Sequence, residues 1–243
     1  MLELINLNKN YGEKRALYNV NLQFPRGEIV GIFGENGVGK TTTLKAILNL
    51  IKYNGEILLD GEPIGKKQLE KISFATSEHT FFPNLTAEDH REFYKSYFPA
   101  FSDKRYNGLM EFFQLPKDKA LRNFSEGMKN QFEVIMALSQ GADYILMDEP
   151  FAGNDLFNRS DFYQVLLGIL SENETVILST HLIEEVKDFI NRAILIKDGE
   201  ILRDVYVSDL EKSGESLTDY VIESYHYKSN RIDEAIDKMG RER

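Results

Sequence analysis

Residues 34–42 are the part of this sequence whose residue types and spacing are best suited to binding phosphate. The string GENGVGKTT fits the phosphate-binding loop pattern, in which glycines let successive backbone N–H groups point at phosphate oxygens. A helix expected to begin here adds partial positive charge, Lys40 adds a full charge, and Thr41 is predicted to ligate magnesium. An ordinary glycine-rich turn is the alternative, which the intact string and its flanks disfavour. The predicted nucleotide contacts of this loop are Gly34, Asn36, Gly37, Val38, Gly39, Lys40, Thr41 and Thr42.

Two acids, Asp148 and Glu149, end an apolar run that begins at Tyr144. Open parallel sheets place ligands at the carboxyl ends of their strands, so both carboxylates are expected beside the phosphate loop. Asp148 is suited to the magnesium shell, and Glu149 to orienting or deprotonating an attacking water. A helix-capping Asp-Glu pair is the alternative, which the preceding phosphate loop disfavours.

Three further residues have side chains suited to nucleotide chemistry. His181 follows the apolar run 175–180 and is predicted to contact a γ-phosphate from a neighbouring strand, although a lone histidine is more often a surface residue. Tyr11, in a polar segment between two strand-like runs, is predicted to stack on adenine, an interaction worth about 1–3 kcal/mol per base. Ser125 opens a helix, where a serine either caps the helix or helps its N–H groups to bind an anion.

Hydrophobic patterning indicates a sheet in the first third of the chain. Val20, Leu22 and Phe24 alternate, and residues 29–33 form a compact apolar run typical of a buried strand. A helix is predicted to begin near Lys40, with an apolar face formed by Leu44, Ile47, Leu48 and Ile51. Strands are expected again at 56–59 and 72–75, with a turn at Asp60-Gly61.

A helical segment, from about residue 86 to residue 140, interrupts the strands. Within it, Phe93 and Tyr97 are expected on the core face of a helix. Strand, helix and strand then follow at 144–147, 162–170 and 175–178, an alternation that predicts a mainly parallel sheet. A hairpin at 194–202 precedes a polar tail, whose stripe of Ile232, Ala235, Ile236 and Met239 predicts a docked helix.

Composition restricts the classes of protein to consider. The 243 residues are 42% hydrophobic, which is enough for a sizeable core. The net charge of −10 gives no general basic field for nucleic acid or anionic lipid, so nucleic acid is not an expected partner. Cysteine is absent, which excludes disulfides and thiolate chemistry. No apolar run approaches a membrane span and no signal peptide is evident, so we expect a soluble cytoplasmic protein.

Taken in order, the motifs resemble those of the ATP-binding domain of an ABC (ATP-binding cassette) ATPase, over roughly residues 1 to 204. In that resemblance, residues 34–42 are similar to the Walker A loop, 144–149 to the Walker B strand with its catalytic Glu149, and 124–128 to the signature motif. Residues 152–155, ending in Asp155, resemble the D-loop, and His181 the switch histidine. The implied fold is an α/β P-loop NTPase with a mainly parallel core sheet, an antiparallel β subdomain and a helical subdomain inserted at about 79–140, followed by a tail at 205–243.

The resemblance also implies a mechanism. Two such domains sandwich two ATP molecules head to tail, and each nucleotide lies between the Walker A loop of one domain and the signature of the other. Ser125 and Gly127 would therefore serve the partner's nucleotide, with Asp155 at the same junction. ATP and Mg²⁺ are the expected ligands, and Lys40, Glu149 and His181 the expected catalytic residues.

Three motifs depart from the family pattern. Ser77 stands where the family usually has a glutamine that touches magnesium, and either Ser77 or Glu78 could substitute for that glutamine. The metal set is predicted as Thr41, Asp148 and Ser77. The signature has Glu126 and Met128 in place of Gly and Gln, and a carboxylate beside a phosphate site repels unless it points away. Asn154 replaces an apolar D-loop residue. None of these changes removes Lys40 or Glu149, so hydrolysis is expected to survive.

The resemblance favours the energising subunit of an exporter of peptides, antibiotics or lipids, bound to the inner face of the membrane through a separate transmembrane permease. The segment Phe81 to Pro83 is expected to contact that permease. A soluble ABC ATPase of chromosome maintenance or translation is one alternative, and a regulatory nucleotide sensor is another. Homodimer and heterodimer both remain open.

Overall fold

The structure, a computed structural model, describes residues 1–150 and 156–225, with only the backbone of residues 156–161. Asp155, Asn154 and the stripe 232–239 therefore lie outside the described residues. The strands are β1 Leu2–Tyr11, β2 Lys14–Phe24, β3 Ile29–Phe33, β4 Asn54–Leu59, β5 Glu62–Pro63, β6 Ile72–Thr76, β7 Tyr144–Asp148, β8 Thr175–Thr180, β9 Arg192–Lys197 and β10 Glu200–Tyr206. The helices are α1 Lys40–Ile47, α2 Lys66–Leu69, α3 Ala87–Tyr97, α4 Asp103–Phe112, α5 Glu126–Ser139, α6 Leu156–Ile169, α7 Ile183–Val186, α8 Val207–Ser213 and α9 Leu217–Ser224.

The larger sheet has six strands in the order β10-β9-β3-β8-β7-β6. All neighbours pair in parallel except β10, which pairs antiparallel with β9. Every residue of β3, β7 and β8 is buried, as expected of strands covered on both faces. The parallel order brings the carboxyl ends of β3, β8 and β7 to one edge, which is where the phosphate loop, Asp148, Glu149 and His181 lie.

The smaller sheet is antiparallel and has four strands in the order β2-β1-β4-β5. Its buried Leu2, Leu4 and Leu7 pack with Leu44 and Ile47 of α1 and with one face of the larger sheet. The opposite face of the larger sheet packs on the aliphatic and aromatic residues of α4, α5 and α6. The predicted α/β class, with a mainly parallel core sheet, an antiparallel sheet and a helical part, is confirmed.

Three local expectations were wrong or displaced. Helix α1 ends at Ile47, and Asn49 has a φ of 54°, so Ile51 is not on the helix. Tyr11 is the last residue of β1 and does not lie in a loop. Phe93 and Tyr97 of α3 are 41% and 66% exposed, so they lie on the surface and not on a core face.

The exposed aromatic residues of α3 continue onto the segment before it. Phe82, 55% exposed, has its ring centroid 5.9 Å from that of Phe93, which is 4.7 Å from that of Tyr97. We call Phe82, Phe93 and Tyr97 the aromatic strip. It forms a continuous apolar surface on the helical part of the protein.

The C-terminal part of the described chain packs against the larger sheet. Strand β10 runs through Tyr206, two residues past the expected boundary at 204, and α8 and α9 follow it. Leu210, Leu217 and Val221 are buried, and the Tyr225 hydroxyl lies 2.9 Å from the carbonyl oxygen of Ile196. Among the residues described, no helix is both long and apolar enough to cross a membrane.

Candidate active site

The glycine-rich loop connects β3 to α1. Two of its glycines are required because the backbone of other strands comes very close to them. Gly39 has a φ of 121°, and a Cβ atom there would lie 2.5 Å from the carbonyl oxygen of Ala16. A Cβ atom on Gly34 would lie 2.5 Å from the carbonyl oxygen of Ile196. Such distances are shorter than any packed Cβ contact, so neither position accepts a side chain without a shift of the backbone. The loop therefore has a fixed shape in front of the N-terminus of α1.

Lys40 lies within this loop and is only 5% exposed. Its Nζ atom donates to the carbonyl oxygens of Gly34 at 2.7 Å and Glu35 at 3.2 Å, and lies 3.7 Å from Oε1 of Glu149. Burial lowers the pKa of Lys40, while the charges of Glu149 and Asp148 oppose that shift. The loop thus holds a buried cation beside the carboxylates of β7.

Asp148 is buried at the end of β7 and accepts two hydroxyl hydrogen bonds on the same oxygen. Thr41 Oγ1 donates to Asp148 Oδ1 at 3.0 Å, and the Ser179 hydroxyl donates to it as well. Oxygen atoms of hydroxyl and carboxylate groups are the ligands that Mg²⁺ prefers. Thr41 and Asp148, already in contact, therefore fit a magnesium ion.

Ser179 was not predicted as a site residue. It lies on β8 directly opposite Asp148 in the parallel register. In the sequence, Ser179 is recognisable only as a polar residue within the run 175–180. The pairing of that strand with the one that ends in the two acids is visible only in the fold.

Glu149 and His181 face each other across the ends of β7 and β8. The Nδ1 atom of His181 lies 3.1 Å from both carboxylate oxygens of Glu149. Glu149 has a φ of 47°, unusual for a residue other than glycine, and its N–H donates to the carbonyl oxygen of Ser179 at 2.9 Å. This left-handed turn ends the strand and directs the carboxylate between Lys40 and His181, and such strained residues are concentrated at active sites.

A cavity of about 220 Å³ opens in front of the phosphate loop. Tyr11, at its rim, is 49% exposed, and Lys9 Nζ lies 4.7 Å from the centre of its ring. An exposed ring at the rim can stack on a nucleotide base. The lining residues are Tyr11, Lys14, Ala16, Asn36, Gly37, Gly39, Lys40, Thr41, Thr42 and Glu149.

Lys14 is a cavity residue that sequence reasoning missed. Its Nζ atom lies 3.4 Å from the position a Cβ atom on Gly37 would take. In the part of the chain that the structure describes, the side chain of Lys14 makes no ion pair or hydrogen bond. Its ammonium group is therefore a second cation at the phosphate loop, beside Lys40.

The remaining predicted residues lie elsewhere. Ser77 is exposed and comes directly after β6, whose Thr76 pairs in register with Asp148. Ser125 is the N-cap of α5, and its Oγ accepts the N–H of Met128 at 3.2 Å. Neither Ser125 nor Gly127 lines the cavity, so within one chain the structure does not bring them to Lys40.

Comparison with known proteins identifies the family to which this chain belongs. A family profile described as ABC transporter matches residues 17–152, more than half of the chain. The chain belongs to the ABC transporter family.

Other members of the ABC transporter family match most of the chain. The ABC transporter ATP-binding protein YtrB of Bacillus subtilis is 31% identical over 87% of this chain and 74% of its own length. The SkfA peptide export ATP-binding protein SkfE of the same organism is 31% identical over 88% of this chain and 93% of its own. A dimeric structure of the ATP-binding cassette MJ0796, in a post-hydrolysis state with ADP and Pi, is 29% identical, with a TM-score of 0.74 over 85% of this chain and 98% of its own.

The expected family and P-loop fold are thereby confirmed. This ABC protein is an ATPase that binds ATP, and it is the ATP-binding subunit of an ABC transporter. The roles predicted for its individual residues stay predictions. Lys40, Glu149 and His181 lie together, as do Thr41 and Asp148.

Proposed function

We propose that this ABC ATPase powers an exporter of peptides, antibiotics or lipids, as a head-to-tail dimer attached to a separate membrane-spanning permease. The export role is supported by the likeness to SkfE, a peptide export ATP-binding protein. Attachment to a permease would place the chain at the inner face of the cell membrane, and its net charge of −10 does not favour nucleic acid as a partner.

The observation that carries the catalytic proposal is the convergence of three side chains on one point. The Glu149 carboxylate lies 3.1 Å from His181 Nδ1 and 3.7 Å from Lys40 Nζ. A carboxylate can orient and polarise a water, and the imidazole and ammonium can stabilise charge on a transferred phosphoryl group. We assign these roles to Glu149, His181 and Lys40.

The other cavity residues bind and position the nucleotide in this proposal. Tyr11 stacks on the adenine, and the backbone N–H groups of 34–42 with the N-terminus of α1 receive the phosphates. Thr41 and Asp148 hold Mg²⁺, with Ser77 as a further oxygen donor at the end of β6. Magnesium bound there offsets the negative charge of the phosphates.

The partner subunit completes each site in this proposal. Ser125 and Gly127, at the N-terminus of α5, contact the nucleotide held by the other subunit, together with Asp155. The exposed N-cap position of Ser125, away from its own cavity, is what such a contact between subunits needs.

The test is a Glu149→Gln variant, which keeps the shape of the side chain and removes its charge. We expect turnover to fall by a factor of about 100 or more, because a positioned base contributes about 10²–10⁴-fold. ATP binding should persist, so the variant should form an ATP-dependent dimer on size-exclusion chromatography. Glu172→Gln, an exposed acid outside the cavity, is the matched control. Unchanged turnover in Glu149→Gln would remove Glu149 from the catalytic role.

The export proposal has its own experiment. Tagged protein is purified from detergent-solubilised membranes of the native host, and the associated proteins are identified by mass spectrometry. A stoichiometric multi-span protein supports the transporter. Recovery only from the soluble fraction, with ribosomes, DNA or nothing bound, contradicts it.

A further inference from the structure

The N-terminus of α5 carries a charge that conflicts with its proposed role. Glu126 is the first residue of this helix, and its side chain is 74% exposed. A helix N-terminus attracts anions, but an ionised carboxylate at the same place repels them. If Ser125 and Gly127 contact a phosphate, the carboxylate of Glu126 has to be directed elsewhere.

Two side chains hold the Glu126 carboxylate, one on each oxygen. Lys129 Nζ lies 2.6 Å from Oε1, and His79 Nε2 lies 3.1 Å from Oε2. Lys129 is one turn further along α5, so its pair with Glu126 is local. His79 comes from the loop that follows β6 and approaches from outside the helix.

The side chain of His79 is mostly buried. It is 22% exposed, and its backbone has a φ of 48°. Its Nδ1 atom is buried without a hydrogen-bond partner, and the nearest acid oxygen, on Glu133, is 3.9 Å away. An ionised carboxylate only accepts hydrogen bonds, so Nε2 carries a hydrogen and the Nε2–H group donates a hydrogen bond to Glu126.

The loop containing His79 is tied down on both sides. Glu78 Oε1 lies 2.6 Å from Lys45 Nζ on α1, the helix that begins at the phosphate loop. The N–H of Thr80 donates to Glu133 Oε1 on α5 at 3.2 Å. The imidazole therefore contacts α5 from a loop whose position is set by both helices.

We propose that His79 is a positioning residue that, with Lys129, holds the Glu126 carboxylate away from the phosphate-binding end of α5. This inference rests on the proposed contact between α5 and the nucleotide of a partner subunit. Loss of His79 leaves the Glu126 carboxylate held by Lys129 alone, so it can turn toward Ser125 and bring negative charge closer to the partner's ATP.

The test measures the ATP concentration that gives half-maximal dimer, in the Glu149→Gln background. We expect His79→Ala to raise this midpoint by about 3- to 10-fold, because the negative charge of Glu126 is no longer held in place by the imidazole. The decisive variant adds Glu126→Gln. Removing the charge should restore the original midpoint if His79 acts only through Glu126, since the neutral amide does not repel the phosphate.

The matched control is Lys212→Ala, which removes the lysine of an exposed pair with Asp209 on α8. Circular dichroism of each variant verifies folding. A raised midpoint that persists in His79→Ala/Glu126→Gln indicates a structural role and overturns the inference, as does an unchanged midpoint in His79→Ala. If the Glu149→Gln parent forms no dimer at any ATP concentration, the proposed dimeric mechanism fails and the inference falls with it.

Discussion

Lys14 provides a positive charge that is not part of the phosphate-loop motif. Its ammonium group is close to Gly37, lines the cavity and has no partner among the described residues. An unpaired cation at this place attracts the phosphates of a nucleotide, and the attraction grows with the number of phosphates.

We therefore expect Lys14→Gln to weaken ATP and ADP binding by about 3- to 10-fold and adenosine binding much less. Titration of the purified protein with each nucleotide measures the three affinities. Lys67→Gln is the matched control, because Lys67 is an exposed lysine of α2 outside the cavity. An equal loss for adenosine and ATP would show that Lys14 acts on the shape of the cavity and not on the phosphates.

Glu133 makes the stability of the fold depend on pH. Its side chain is 3% exposed on α5, and burial raises its pKa from 4.5 to about 8, although backbone N–H groups of Thr80 and Thr76 oppose the shift. In the unfolded chain the group ionises near the ordinary value, so folding takes up a proton between the two values. The free energy of unfolding therefore decreases as pH rises from about 4.5 through 8.

Urea unfolding at about pH 6 and about pH 9 measures this effect. One unit of pKa shift corresponds to about 1.4 kcal/mol, and we expect wild type to lose roughly 1–3 kcal/mol between the two conditions. Glu133→Gln, which cannot ionise, should lose less. An equal loss in both proteins would assign the pH dependence to other groups.

At the scale of elements, the helical part presents the aromatic strip of Phe82, Phe93 and Tyr97 to solvent. Helical periodicity correctly predicts that Phe93 and Tyr97 share a face of α3, but it does not tell whether that face meets the core or solvent. Contiguous exposed apolar side chains of this kind mark surfaces for protein contact. Phe82 of the strip lies within the segment Phe81 to Pro83, which is expected from the family resemblance to contact the permease.

We expect Phe82→Asp to reduce co-purification of membrane proteins with the tagged chain by about fivefold or more, because a charge is placed in an apolar contact. The ATPase rate of the isolated variant should stay within about twofold of wild type, since Phe82 does not line the cavity. Leu50→Asp, at another residue that is 64% exposed, is the matched control. Equal recruitment of membrane proteins by Phe82→Asp and wild type would contradict the contact.

The elements also show why some of the site was predictable. The phosphate loop and the run ending in Asp148 and Glu149 are each a single short stretch of sequence. Their chemistry can therefore be predicted without knowledge of the fold. Strand pairing brings Ser179 beside Asp148, whereas Lys14 belongs to the smaller sheet and reaches the phosphate loop near Gly37. Neither position has a distinctive local pattern in the sequence. Likewise, the end of α1 is set by the left-handed Asn49, whereas apolar spacing alone continued the helix to Ile51.

At the scale of the whole molecule, strand alternation was enough to predict the parallel sheet and its covering helices. Strand order was not predictable from one sequence. The tail at 205–243 was predicted to be helical and docked, but the only apolar stripe that indicated this is at 232–239. No pattern in the sequence located α8 and α9 or their buried Leu210, Leu217 and Val221. Helix α9 ends at Ser224, and the hydroxyl of the next residue, Tyr225, lies near the carbonyl oxygens of Phe33 and Ile196. The described C-terminal residues therefore support the strand that carries the phosphate loop.

The shared oxygen of Asp148 has a consequence for the order in which the protein folds. Thr41, which lies 107 positions earlier, and Ser179, 31 positions later, both donate to it. Contacts between residues so distant in sequence form slowly, because a long loop must close first. On dilution from denaturant, we expect ATPase activity to return with the slowest phase, after most helical circular dichroism has recovered. Activity that returns with the fastest phase would contradict this order. If the expected order holds, a nascent chain completes the contacts of Asp148 only after β8 has left the ribosome and joined the sheet.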